Sequence, residues 1–177
     1  MAIKILAVDD EPDFALLIKL RFRKQIREKI YDFVFAANGK EALEQIEQCS
    51  DFDIMLCDLN MPVMDGITLL NVLSGRQLPM KSIVVSAYGD MNNIRAAMNA
   101  GAFDFVTKPI EIIDLEKTID KGYGEVKKEK KAEETRQSWL RRKRKRTLSK
   151  RRQKNCENWT NSNPGFLPIF PMNSGLL

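Results

Sequence analysis

The stretch Ile3-Lys4-Ile5-Leu6-Ala7-Val8-Asp9-Asp10 reads as a buried strand that ends abruptly in acid. A nearly all-apolar run of this kind is what a parallel strand covered on both faces shows. The form recurs. Ile54-Met55-Leu56-Cys57 stops at Asp58, and Ser82-Ile83-Val84-Val85 stops at Ser86. Stretches of helical spacing lie between. Pro12 opens the first, with Phe14, Leu17, Ile18, Phe22 and Ile26 as its apolar positions. Residues 31–35 form a further strand, closed by the turn signal Asn38-Gly39. Ala42, Leu43 and Ile46 mark a second helix. Ile67, Leu69, Leu70 and Leu73 mark a third, after a loop holding Pro62 and Gly66. Residues 91–100 form a fourth, with Gly101 as its C-cap. Residues 102–106 are the fifth strand, and residue 110 to about 121 the last helix. The expected fold over residues 1–121 is α/β: a doubly wound parallel (βα)₅ sheet with helices on both faces.

Charge divides the chain differently. Its 177 residues carry 29 Lys+Arg and 24 Asp+Glu, a net of +5. Residues 1–121 hold 14 Lys/Arg and 19 Asp/Glu, a net of −5, and residues 122–177 hold 15 and 5, a net of +10. An acidic body and a basic tail need separate readings. Histidine is absent. That excludes a histidine kinase core, a histidine phosphotransfer domain, Ser-His-Asp or Cys-His catalysis and His-ligated zinc within this sequence. Three cysteines without a Cys-x-x-Cys pair argue against a disulfide framework and for a reducing compartment. No apolar run approaches the ~20 residues of a membrane span. The opening run is too short and too acid-terminated for a secretory signal. The expected setting is the cytoplasm.

In open parallel sheets, ligands bind beyond the carboxyl ends of the strands, where strand order reverses. There the sequence puts Asp9-Asp10-Glu11, Asp58, Ser86 and Lys108. Neighbouring carboxylates repel; two unit charges about 4 Å apart cost on the order of 4 kcal/mol at an effective dielectric of about 20. A cation must offset this, and an oxygen-only donor set suits Mg²⁺. Magnesium takes one or two carboxylates, several waters and a phosphate oxygen, which points to phosphoryl chemistry with an aspartate as nucleophile. Any one of these residues alone reads more simply as a cap, a turn or a surface charge. Their joint occurrence on four strand ends reverses that preference.

At these residues the chain resembles the receiver domain of two-component response regulators, in particular the chemotaxis receivers. The matching motifs are Asp9-Asp10, Asp58-Leu59-Asn60-Met61-Pro62 through Asp65-Gly66, Ser86-Ala87 and Lys108-Pro109, in order and at family spacing. The resemblance implies a flavodoxin-like sheet of order 2-1-3-4-5. It implies Asp58 as phosphoacceptor, supplied by a histidine kinase or histidine phosphotransfer protein. Mg²⁺ would be held by Asp10, Asp58 and the Asn60 carbonyl, with Asp9 acting through water. Lys108 would pair with the phosphate and Ser86 would follow it. Ala87 would leave it a path. Phe105 would change rotamer, altering the face made by the fourth helix, fifth strand and fifth helix, through which a homodimer can form. Asn60 and Tyr88 stand where members tune dephosphorylation, and Pro109 where they carry a cis bond. Enzymatic activity would be limited to self-phosphorylation and self-dephosphorylation.

Beyond residue 121, Gly122-Tyr123-Gly124 is expected to break the pattern. Residues 122–155 read as a basic extension, helix-prone or disordered, with no heptad seam. Residues 156–177 read as a disordered tail. Residues 136–154 hold 11 Lys/Arg and no acid, with Trp139 interleaved. Such a run binds phosphate backbones or lies on anionic lipid; a solvated tail is the reading preferred here. Two alternatives to a self-contained receiver remain. One is a nucleic-acid-binding regulator acting through that basic run. The other is the receiver fragment of a larger multidomain signalling protein, truncated or frameshifted after about residue 125.

Overall fold

The computed structural model describes residues 2–162 apart from 50, 77 and 88. In chain order it contains β1 (Ile3–Val8), α1 (Pro12–Arg21), α2 (Arg23–Arg27), β2 (Tyr31–Ala36), α3 (Gly39–Gln48), β3 (Ile54–Asp58), α4 (Gly66–Ser74), β4 (Lys81–Ala87), α5 (Met91–Asn99), β5 (Asp104–Lys108) and α6 (Ile112–Ser162). The strands are parallel throughout and lie in the order β2-β1-β3-β4-β5. Strand order reverses at β1, whose neighbours are β2 and β3. The register pairs Val8 with Cys57, so Asp9 and Asp58, each the next residue, reach the same end of the sheet.

Alternation along the strands fills two cores. Ile5, Ala7, Ile54, Leu56, Ile83 and Val85 pack with Phe14, Ile18 and Phe22 of the first helical stretch and with Leu115 and Ile119 of α6. Leu6, Val8, Met55, Cys57 and Val84 pack with Ala42, Ile46, Leu69, Leu73 and Ala97 of α3, α4 and α5. Both faces of the sheet are therefore covered, the condition that lets β1, β3 and β4 be apolar throughout.

Two expectations about helices change. The first helical stretch is not one helix. It breaks at Phe22, whose backbone leaves helical geometry (φ −96°, ψ 15°). The Phe22 ring is fully buried, with Tyr31 and Phe33 at centroid distances of 5.5 and 5.7 Å. The last helix does not stop at Gly122-Tyr123-Gly124 but runs on to Ser162. A Cβ at Gly122 would come within 2.9 Å of Ile54 Cδ1, so the missing side chain permits close packing against β3. Val126, a turn further on, is fully buried. The chain divides into two units, one ending at Lys131 and one beginning at Ala132. In the second unit, residues 132–151 are helical and exposed throughout. The expected tail beyond residue 162 lies outside the described residues.

Candidate functional site

Asp9 follows the last residue of β1, and Asp58 closes β3. Both are nearly inaccessible, while Asp10 is exposed. Each of the three offers a carboxylate oxygen lying within 4.8 Å of the other two. This is a cluster of hard oxygen donors able to hold one divalent cation. Local hydrogen bonds fix it. Asp9 Oδ1 accepts from the Glu11 amide at 2.8 Å, and Asp58 Oδ1 accepts from the Leu59 amide at 2.9 Å. An open cavity of about 260 Å³ beside Asp9 and Asp10 is lined also by Glu11, Phe14 and Phe35.

Lys108, the last residue of β5, reaches across to the cluster. Its Nζ is 3.2 Å from Asp9 Oδ2, 3.4 Å from Glu11 Oε1 and 3.7 Å from Asp58 Oδ2. It also stands over the Phe14 ring, 6.0 Å from the centroid. The Lys108-Pro109 peptide bond is cis. Burial raises the pKa of Asp9; Lys108 and the Glu11 amide pull against it. Burial likewise raises the pKa of Asp58, against Lys108, while the charges of Asp9 and Asp10 push it further up. Burial lowers the Lys108 pKa, but Asp58 and Asp9 outweigh that and leave it raised. One ammonium thus faces more negative charge than it can neutralise.

Ser86 is fully buried near the end of β4, and Ala87 ends that strand exposed. The Ser86 hydroxyl donates to Asp90 Oδ2 at 3.5 Å, and Asn93 Nδ2 donates to the same oxygen at 2.9 Å. Asn60 is exposed, two residues beyond Asp58. Phe105 on β5 is 38% exposed. Tyr88 lies outside the described residues. The fold thus brings Asp9, Asp10, Asp58 and Lys108 together, while Ser86 is held by Asp90.

Three residues have roles that the motifs alone do not specify. Glu11 offers Lys108 a further carboxylate, and its place after Asp9-Asp10 was the available signal. Asp90 occupies the Ser86 hydroxyl, with no periodic or compositional mark. Gly66 donates its amide to the Leu59 carbonyl at 3.1 Å, and a Cβ there would lie 2.3 Å from the Asp58 carbonyl oxygen. The Pro62–Gly66 loop, with Val63 at φ 67°, can pass under Asp58 only because residue 66 has no side chain.

Residues 5–120 match the family model of the response regulator receiver domain. The transcriptional regulatory protein ZraR of Escherichia coli (strain K12) is 30% identical over 119 residues, which are 67% of this chain and 26% of that protein. The response regulator protein PilR of Pseudomonas aeruginosa is 34% identical over 116 residues, 66% of this chain and 25% of that one. The chain thus spans about a quarter of the length of these curated relatives. Among solved structures, a CheY-like receiver domain protein from Methanospirillum hungatei JF-1 superposes with a TM-score of 0.62 at 30% identity, covering 73% of this chain and 99% of that one. The signal receiver domain of a putative Luxo repressor protein from Vibrio parahaemolyticus gives 0.66 at 25% identity, covering 75% and 98%. Among the described residues, no helix is long and apolar enough to cross a membrane. Receiver domains bind Mg²⁺ at an acidic pocket and act with histidine kinases or phosphotransfer proteins. With sequence, strand order and acidic cluster in agreement, this chain belongs to the response regulator receiver domain family.

Proposed function

We propose that Asp58 is the phosphoacceptor. An Asp58 carboxylate oxygen attacks the phosphorus of a phosphohistidine on a separate kinase or phosphotransfer protein. A P–O bond forms, the P–N bond breaks, and the imidazole leaves with a proton from solvent. The observation carrying this reading is the Asp58 carboxylate set 3.7 Å from the Lys108 ammonium and beside Asp9 and Asp10. The donor set fits Mg²⁺: carboxylates only, in excess over the local positive charge. Asp10, Asp58 and the Asn60 carbonyl would hold the ion, with Asp9 through water. When bound, the ion supplies charge neutralisation to the transferring group.

Lys108 then meets the phosphoryl oxygens, and Ser86 donates to one of them after leaving Asp90. Ala87 leaves that path open. Phe105 follows Ser86 and alters the face made by α5, β5 and α6. Met91, Met98, Phe105 and Ile113 are exposed on these elements, which supports homodimer formation there. Asn60 and Tyr88 tune loss of the phosphate. Domain organisation follows the same reading: a receiver over residues 1–121, a basic extension over residues 122–155 and a tail over residues 156–177. Cys49 and Cys57 are free thiols, which suits a reducing, cytoplasmic setting.

Incubation with Mg²⁺ and acetyl phosphate tests this. Phosphate should appear on wild type and not on Asp58→Ala; equal labelling of both would refute the assignment. A second reading, the receiver part of a larger regulator, draws on the relatives, of which this chain spans about a quarter. An output region in another frame of the DNA downstream of codon 135 would establish it.

A further inference from the structure

We propose that residues 136–154 of α6 are a binding site for double-stranded DNA. The reading is independent of phosphorylation at Asp58. It rests on how the helix distributes charge. The segment carries 11 Lys/Arg and no acid. As helix it spans about 28 Å, roughly one positive charge every 2.6 Å of axis. Duplex DNA carries about one negative charge per 1.7 Å, so the two densities are comparable. Seven of the 11 are arginine, whose planar fork meets phosphate oxygens in bidentate fashion.

The charge lies on every side. At about 3.6 residues per turn, Arg136, Arg144, Lys145 and Arg146 fall on four different sides of the helix, and all four are exposed. Trp139, Leu140 and Leu148 are exposed too, but they spread over about half the circumference and make no apolar stripe. A helix lying on a lipid surface needs such a stripe. A helix in the DNA major groove does not, because phosphates line both walls. That groove, about 12 Å wide, admits an α-helix, whereas the A-form RNA groove is too narrow. Like charges at i,i+4, such as Arg141 with Lys145 and Arg142 with Arg146, work against the helix until a polyanion neutralises them. Lys143 over the Trp139 ring at 4.8 Å is the kind of local contact that offsets part of this.

The test uses the full chain and a fluorescent duplex of arbitrary sequence, about two helical turns long. Anisotropy should show binding that weakens roughly 10³-fold between 50 and 200 mM salt, as about six phosphate contacts require. Replacing Arg141, Arg142, Lys143, Arg144, Lys145 and Arg146 together by glutamine keeps a good helix former at each position. It should reduce affinity on the order of 10²-fold or more, with the melting temperature unchanged. Helical circular dichroism should rise on adding duplex to wild type. No binding at low salt, equal binding by the six-fold variant, or tighter binding to double-stranded RNA or phosphatidylserine vesicles would each overturn the proposal. Asp58→Ala should bind as wild type does.

Discussion

Lys108 leans on Asp9: its Nζ is 3.2 Å from Asp9 Oδ2 and half an ångström farther, at 3.7 Å, from Asp58 Oδ2. Asp9 is the more deeply buried side chain of that pair, so the ammonium supplies charge where solvent supplies least. A phosphoryl group on Asp58 would compete for the same ammonium. Replacing Lys108 by alanine should therefore separate two functions. Divalent-ion affinity should hold or rise, because the carboxylates lose their only nearby cation among the described residues. Phosphoryl uptake from acetyl phosphate should fall on the order of 10²-fold, the usual loss of one preorganised charge at a reacting group. Calorimetric Mg²⁺ titration beside phosphate incorporation checks both; unchanged uptake would remove Lys108 from the mechanism.

The raised pKa values of Asp9 and Asp58 set a direction for stability. A folded carboxyl that holds its proton more tightly than the unfolded one costs stability as pH rises. The cost begins near the unfolded value, 3.8, and is complete above the raised folded value. Without Mg²⁺ the melting temperature should therefore rise as pH falls through the raised folded value toward 3.8, until general acid unfolding takes over. Asp58→Asn should raise the Mg²⁺-free melting temperature by a few degrees, the shift that about 1 kcal/mol produces in a domain of this size. Saturating Mg²⁺ should remove the difference. A variant less stable than wild type in the absence of Mg²⁺ would contradict the burial argument.

Much of this was legible because strand ends carry the chemistry. A parallel sheet fixes where Asp9, Asp58 and Lys108 emerge once β1, β3 and β5 are placed, and apolar runs place them. The helix break at Phe22 was hidden because Phe22 and Ile26 keep the helical spacing of Phe14 and Ile18; only burial of the Phe22 ring against Tyr31 and Phe33 requires the bend. The run of α6 through Gly122 was hidden for the opposite reason. Glycine is a poor helix former, yet its bare surface is what meets Ile54. The Ser86–Asp90 bond depends on how the loop after β4 closes, which spacing does not encode.

Gly66→Ala tests the loop beneath the acceptor. A Cβ at 2.3 Å from the Asp58 carbonyl and 3.0 Å from Leu59 Cα meets backbone that cannot rotate away. The strand end or the loop must shift, at about 1–3 kcal/mol. Since the Leu59 amide also orients Asp58 Oδ1, the shift should reach the acceptor. Urea unfolding should show the lost stability, and phosphate incorporation should fall even where the variant is fully folded. Wild-type incorporation in a destabilised variant would show that loop and acceptor are uncoupled.

The family match ends at residue 120, but packing against the sheet continues beyond it. Asp53, buried just before β3, accepts from the Lys4 amide at 3.0 Å and from Lys130 Nζ at 2.7 Å. Glu129 pairs with Lys81 at 2.6 Å, and Val126 is fully buried between these contacts and Gly122. Residues 122–130 are thus fastened to the amino-terminal ends of β3 and β4. The two partners of Asp53 differ in consequence. Lys130→Ala leaves the Asp53 carboxylate, only 8% exposed, without its cation and held by the Lys4 amide alone, and should cost about 1–3 kcal/mol. Asp53→Ala returns the Lys130 ammonium to water but leaves the Lys4 amide without its acceptor, and should also cost about 1–3 kcal/mol. Hydrogen exchange should therefore lose protection over residues 122–130 in both variants, but over β1 only in Asp53→Ala. Unchanged protection over residues 122–130 in both variants would mean that the helix is fastened by Val126 and Gly122 alone. Mg²⁺ affinity should be unchanged in both, because Asp53 lies at the opposite end of β3 from Asp58.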